Sequence, residues 1–275
     1  MTTDTEPRGW DFLSEDATNF ATRAHEHFPD SFSLAKKFSD FAMGALRRAE
    51  PKKDDNHQFI AAVLFGRAIT SFQAAYILTE RGLLADARTI VRGLAETSIV
   101  LNAHVLDREI ADILTARHHW HSRKLLSSWL RDPQAVANMT SERKTAFETQ
   151  IANIDSIAPG AKAGGDPLKV ATLAEKYGLL WLYNTVYRMH SGDAAHASLN
   201  ALERHVNANS ESEILTLNFG PETRDIRDTV SAAIAALIPA LNAVVELFEM
   251  DDLEAPLAEN IASWQALGVP ANGYR

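Results

Sequence analysis

Two long apolar stretches, back to back, constrain this chain more than any other feature of it. Residues 59–78 (FIAAVLFGRAITSFQAAYIL) and residues 83–106 each suffice for about five turns of helix or more, and Gly82 stands between them, where a helix stop is usual. In the first stretch Phe59, Val63, Phe65, Ile69, Phe72, Tyr76 and Ile77 lie all round the helix. In the second, Ile90, Val91, Leu94, Leu101 and Val105 mark one face, while Ala95, Ile99, Val100 and Ala103 cover much of the other. Helices apolar on every side belong in a core, so the two are expected to fold back as an antiparallel hairpin at the centre of the molecule. A membrane span is the rival reading of 59–78. Against it, Arg67 near the middle costs about 2.5–3.5 kcal/mol on insertion scales, and Thr70, Ser71 and Gln73 dilute the apolar signal.

Burying this hairpin places three charges where charge is costly: Arg67, and Arg92 and Glu96 one helical turn apart. Arg67 lies fifteen positions before Gly82 and Glu96 fourteen after it, so antiparallel helices bring them to the same height and an Arg67–Glu96 pair is expected. Arg92 is then left to share Glu96 or to offer its guanidinium to an anion. Two readings follow: a buried ion network that fixes helix register, or a ligand site.

Elsewhere helix start and stop signals recur and strand signals are nearly absent, which makes the fold all-α: a multi-helix bundle around the central hairpin with at most one short extended segment. A first helix follows Ser14 and stops before Pro29, and a second follows Ser33 with Leu34, Phe38, Phe41, Ala45 and Leu46 on one face. Residues 1–53 thus read as N-terminal helices packed on a main helical domain, 54–275, the whole forming a single domain. Further helices are expected over 108–131, 141–157, 167–177, 179–190 and, after a turn at Ser191-Gly192-Asp193, over 191–205. The stretch PGAKAGGDP (159–167) is the best linker candidate. Residues 214–219 (ILTLNF) alternate like a strand, and a long helix after Pro221 carries Val230, Ile234, Leu237, Leu241 and Val244 inward, with a kink expected at Pro239.

Composition narrows the chemistry. The chain has no cysteine, which excludes disulfides, thiolate metal sites and cysteine nucleophiles. Its first residues are acidic and polar, unlike a secretory signal, so the cytoplasm is the expected compartment. A net charge of −9 disfavours non-specific nucleic-acid binding, although a local basic patch can still hold RNA.

The densest collection of reactive groups is WLYNTVYRMHSGDAAH (181–196), where Tyr183, Tyr187 and His190 recur at helical spacing and Ser191 and His196 follow. A functional reading makes His196 a general acid or base with Tyr187 or Ser191 as its hydrogen-bonding partner; the plain alternatives are packed histidines and Ser191 as a helix N-cap. The stretch ARHHWHSRK (116–124) is the only distinctly basic one. His118 and His121 lie three apart and could ligate a metal with carboxylates from elsewhere, but a solvated helix face is the favoured reading and no metal is assigned. His25 and His27 diverge on their helix and read as chance placement.

Leu78 to Glu96 (LTERGLLADARTIVRGLAE), with Arg67 upstream and Tyr187, Ser191 and His196 downstream, resembles the bacterial family named domain of unknown function 5677, over roughly Gln58 to Val206. That family is in turn similar to HEPN proteins, helical nucleotide-binding or ribonuclease domains of toxin–antitoxin and phage-defence systems, whose active members carry Arg, four to six residues, then His. The resemblance implies RNA or a nucleotide as partner, a homodimer and a role in defence or stress; no cofactor is expected. It points to His196, Arg92, Glu96 and Tyr187 as the site. The nuclease motif itself is not met: the nearest Arg is Arg188, with seven residues between it and His196, and Ser191 stands at the matching spacing. The alternative is a non-catalytic helical interaction protein whose buried ion network is structural.

Overall fold

The computed structural model describes residues 12–13, 15–163, 165–193, 206–208, 214–217 and 220–267. Its helices are α1 (Glu15–His27), α2 (Pro29–Arg48), α3 (Asn56–Glu80), α4 (Leu84–Leu106), α5 (Ile110–Arg131), α6 (Pro133–Ala137), α7 (Ser141–Ile157), α8 (Gly160–Ala163) and α9 (Val170–Lys176). Then α10 (Leu180–Leu182), a π-helical turn (Tyr183–Tyr187) and α11 (Arg188–Asp193) run on without a break. A strand pair, β1 (Val206–Ala208) and β2 (Ile214–Leu217), precedes α12 (Ile226–Leu247), and α13 (Glu254–Ala266) closes the described chain. The all-α expectation holds.

Local chemistry sets most boundaries. The Asp55 carboxylate accepts the Gln58 N–H at 3.1 Å and starts α3; Asp132 and Thr140 cap α6 and α7 in the same way. α2 begins four residues before the expected Ser33, because Pro29 occupies the first turn, where its fixed φ suits a helix and its missing N–H costs nothing. The turn expected at Ser191–Asp193 is helical instead, and of the helix expected over 191–205 the residues 194–205 lie outside those described. The extended segment at Ile214 forms β2, and it pairs antiparallel with a second strand, β1, which the sequence reading lacked: Val206 faces Leu217 and Asn207 faces Thr216.

Three helices, α3, α4 and α12, pack against one another at the centre. α12, not α3, is the most enclosed: seventeen of its 22 residues are buried, and the helix carries through Pro239. Its many alanines let neighbours approach from every side. α3 keeps one face open, with Phe59, Val63 and Ile77 exposed, and this corrects the expectation of burial all round. α3 and α12 are both long and apolar enough to cross a membrane; the apolar window of α12 is 83% buried within the protein and that of α3 33%. α2 packs Phe32, Phe38 and Ala42 onto α3 and α12, while α9, the π turn and α11 lie on α4. α5 carries α6, α7 and α8 as an arm that buries little more than Ile110, Leu126 and Ile154. The 159–167 stretch is no free linker, since α8 packs on α5 and Asp166 pairs with Arg117 at 3.3 Å.

Both ends of the α3–α4 hairpin are fastened. At the open end two buried histidines exchange bonds: His57 Nε2 and the His104 carbonyl lie 2.7 Å apart, and His104 Nε2 and the His57 carbonyl 3.0 Å. At the turn, Gly82 has φ +75°, and a Cβ there would fall 2.6 Å from Pro221 Cβ and 2.9 Å from the Glu222 nitrogen, which donates to the Gly82 carbonyl at 3.1 Å. Glycine is needed twice, for the left-handed backbone and for the close approach of the segment leading into α12. Gly82→Ala is therefore expected to cost about 2 kcal/mol or more, a drop that thermal or urea unfolding will read directly.

Candidate functional site

Arg88, Arg92 and Glu96 follow one another at four-residue spacing and form a charged row along α4. Because α4 is enclosed by packed neighbours, each group is satisfied by a different one. Arg88, 3% exposed, donates from Nε to Thr229 Oγ1 at 3.1 Å and pairs through Nη2 with Asp225 Oδ2 at 2.9 Å, which ties α4 to α12 and the residue before it. Glu96 is held by Arg117 Nη1 of α5 at 3.1 Å, and Arg117 Nε also reaches Asp166 at 3.3 Å. Arg67 does not join them. It is exposed on the open face of α3, so the expected Arg67–Glu96 pair is absent: equal height along two antiparallel helices does not fix which way each side chain points.

Arg92 has a different environment. Its Nε donates to Ser191 Oγ at 2.7 Å, its Nη2 to the Tyr187 hydroxyl at 2.9 Å, and its guanidinium carbon lies 4.5 Å from the centre of the Tyr187 ring. Every one of these partners is neutral. A π turn ends at Tyr187, with Arg188 N–H reaching back five residues to the Tyr183 carbonyl, and Tyr187 and Ser191, four apart on one helix face, meet the same guanidinium. Ser191 is no N-cap; its hydroxyl donates to the Tyr187 carbonyl at 2.7 Å while accepting from Arg92. Tyr183 stacks on Tyr187 with ring centres 5.0 Å apart and planes 19° from parallel.

His190 leaves this group for the interior. It is 1% exposed, neither ring nitrogen has a hydrogen-bond partner, and burial, reinforced by the charge of Arg88, pushes its pKa down to about 3. It is a neutral core residue at physiological pH and a poor base. His196 lies outside the described residues, so of the four expected site residues the structure joins Arg92 with Tyr187, turns Glu96 toward α5, and leaves His196 unplaced.

The basic stretch on α5 is largely spent on local contacts. Arg123 pairs with Asp155, Lys124 lies over the Trp120 ring, and His118 meets His119 edge-on at 5.7 Å. Among the described residues no three His, Asp or Glu side chains gather as a metal site would require. His25, read from sequence as chance placement, instead stacks on Phe32 at 4.3 Å and meets Glu80 at 3.1 Å, fastening α1 to α3. Sequence reasoning also missed Arg88 and Arg117. The four-residue spacing of Arg88 from Arg92 was there to be read; the choice of Arg117 was not, since it depends on where α5 docks.

The family of unknown function (DUF5677) matches residues 58–214, and no curated protein and no solved structure matches the chain. The matched stretch contains Arg92, Glu96, Arg117, Tyr187 and Ser191, whereas Asp225 and Thr229 fall beyond it.

Three consequences can be measured. Asp225→Asn removes a carboxylate charge 2.9 Å from a buried guanidinium and should cost roughly 3 kcal/mol. Glu96→Gln breaks a pair whose side chains are 24% and 35% exposed, and should cost about 1 kcal/mol or less in the same urea titration. His190 and His104, both held below the ordinary histidine value chiefly by burial, are neutral when folded, while the unfolded chain protonates them below about pH 6.5. Their contribution is full above that pH and is lost as the pH falls through each lowered folded value, which for His190 is about 3. The urea midpoint should drop between pH 7.5 and 5.5, and His190→Leu should flatten that drop.

Proposed function

We propose, from the premise that the chain belongs to the family of unknown function DUF5677, that it recognises phosphate, on RNA or a nucleotide, through Arg92. The observation that carries this is the half-buried Arg92 guanidinium, which no carboxylate among the described residues pairs with. A cation withdrawn from water and bonded only to hydroxyls retains an unmet preference for an anion, and the planar fork of Arg fits phosphate oxygens. The stacked Tyr183 and Tyr187 beside it supply the aromatic surface on which unpaired bases pack.

This reading agrees with a HEPN-like protein of bacterial defence or stress, working in the cytoplasm. In its ribonuclease form, His196 takes the proton of a ribose 2′-hydroxyl, whose oxygen attacks the adjacent phosphorus while the 5′-oxygen leaves and takes a proton from water, and Arg92 stabilises the charge gathering on the phosphate. Glu96, engaged by Arg117, and His190, enclosed and neutral, do not serve in that step. A second reading, a non-catalytic interaction protein, draws on the Arg88–Asp225 and Glu96–Arg117–Asp166 contacts, which join helices as structural ion networks do.

The test is binding and cleavage of total bacterial RNA by the wild type, Arg92→Gln and His196→Ala, each checked for folding by circular dichroism. Arg92→Gln is expected to weaken RNA binding at least about tenfold, or about 1.4 kcal/mol. Cleavage by the wild type that His196→Ala abolishes identifies a ribonuclease; binding without cleavage leaves a phosphate-recognising protein. RNA and nucleotide binding equal in wild type and Arg92→Gln would defeat the proposal and favour the interaction protein.

A further inference from the structure

The two histidines that close the open end of the α3–α4 hairpin are bonded in a way that depends on their charge. His57 stands in the first turn of α3 and His104 in the last turn of α4, 8% and 0% exposed, with ring centres 4.4 Å apart. A carbonyl only accepts, so the two contacts from Nε2 to the opposite carbonyl, 2.7 and 3.0 Å, require a proton on each Nε2. Both neutral rings therefore keep an unprotonated Nδ1 in the core, and among the described residues neither Nδ1 has a hydrogen-bond partner. The His104 carbonyl belongs to a turn in which carbonyls run out of donors from their own helix, and the His57 ring supplies one.

A second proton on either ring finds no place while the pair is closed. An Nδ1–H formed there is a buried donor without an acceptor, and it brings a charge into the core. Burial holds the His104 pKa below its ordinary value, and the charge of Arg108, just past α4, works in the same direction. Asp55, before α3, is the carboxylate that acts on His57, but it caps the helix through the Gln58 N–H, which keeps it below the usual carboxylate range, and it also faces Arg108. Asp107 is held at about 2 by the Tyr177 hydroxyl, the Glu109 N–H and Lys176. Both carboxylates thus keep their charge between pH 7.5 and 5.5, and the imidazoles are what changes.

We propose that His57 and His104 form an acid-released latch, which holds the open end of the hairpin shut while both rings are neutral and lets it part when either takes up a proton. Two neighbours are attached at this end. Asp107 accepts from the Tyr177 hydroxyl at 2.6 Å and from Lys176 at 3.1 Å and so fastens α9, and the buried Ile110 begins α5 with its arm. Parting of the α4 end therefore loosens α9 and the arm. Arg92, about 18 Å back along α4, and the Gly82 turn remain fastened through the Arg88–Asp225 pair and the Glu222 N–H. Each ring that gains its proton only on opening raises the open population about tenfold between pH 7.5 and 5.5, because the ordinary histidine pKa is about 6.5.

Hydrogen–deuterium exchange of the full chain at pH 7.5 and 5.5, corrected for the intrinsic exchange rate, tests this. Amides of residues 60–64 and 102–107 are expected to lose protection at least about tenfold at the lower pH, while those of residues 88–94 keep theirs. In His57→Gln/His104→Gln each side-chain amide still donates to the opposite carbonyl but takes up no proton, so protection at the hairpin end should be equal at both pH values. His190→Leu should leave the wild-type loss in place, which separates the latch from the titration of His190. Nitrogen NMR of the wild-type imidazoles adds a reading that needs no variant: both rings should be Nε2–H tautomers at pH 7.5, and their titration should coincide with the loss of amide protection. Protection that does not change with pH, a loss shared equally by residues 88–94, a loss that persists in the folded double variant, or imidazoles that titrate while the amides around them stay protected would each overturn the proposal.

Discussion

The fold depends on how completely α4 is enclosed. With α3, α12, α11, the π turn and α9 around it, a charge on the covered faces of α4 is met by a group from the element that covers it, whereas Asp86 near its start stays exposed. Arg88 is met from the start of α12, Glu96 from α5, and Arg92 from the π turn and α11. The charged row therefore acts as a set of addresses: three successive turns of one helix specify three different packing partners. The two ionic contacts differ in weight, because Arg88 is sealed from solvent while Glu96 and Arg117 remain partly hydrated.

Arg92 differs from its neighbours in the row for a chemical reason. Hydroxyls and an aromatic face satisfy the geometry of a guanidinium without neutralising its charge. Tyr187 and Ser191 stand four positions apart, about one helical turn, and so address the same group. Next to them His190, with two unbonded ring nitrogens in the core, adds no charge because burial suppresses its protonation.

One contact of the candidate site was legible in the sequence. Arg92 and Tyr187 were singled out, from the row on α4 and the helical recurrence of tyrosines, and the structure joins them at 2.9 Å. Glu96 was recognised as a charge needing a partner, but the wrong one was assigned, because Gly82 fixes the relative height of α3 and α4 and not their rotation about their own axes. The His57–His104 exchange had no local signal at all: the two histidines are 47 residues apart and meet only once the hairpin has closed in register. His25 was misjudged for a related reason, since its partners Phe32 and Glu80 lie on other helices.

By itself the sequence determined most of the helices, the glycine turn of the central hairpin and the all-α class, because these rest on periodicity and on the local preferences of Pro and Gly. It also determined that charges would have to be housed among apolar helices. Which group neutralises which charge, which central helix is enclosed and which keeps an open face, and where the histidines settle were decided by tertiary structure. Those outcomes turn on the rotation and docking of whole helices, and a helix apolar on all sides carries no mark of which side its own chain will leave uncovered.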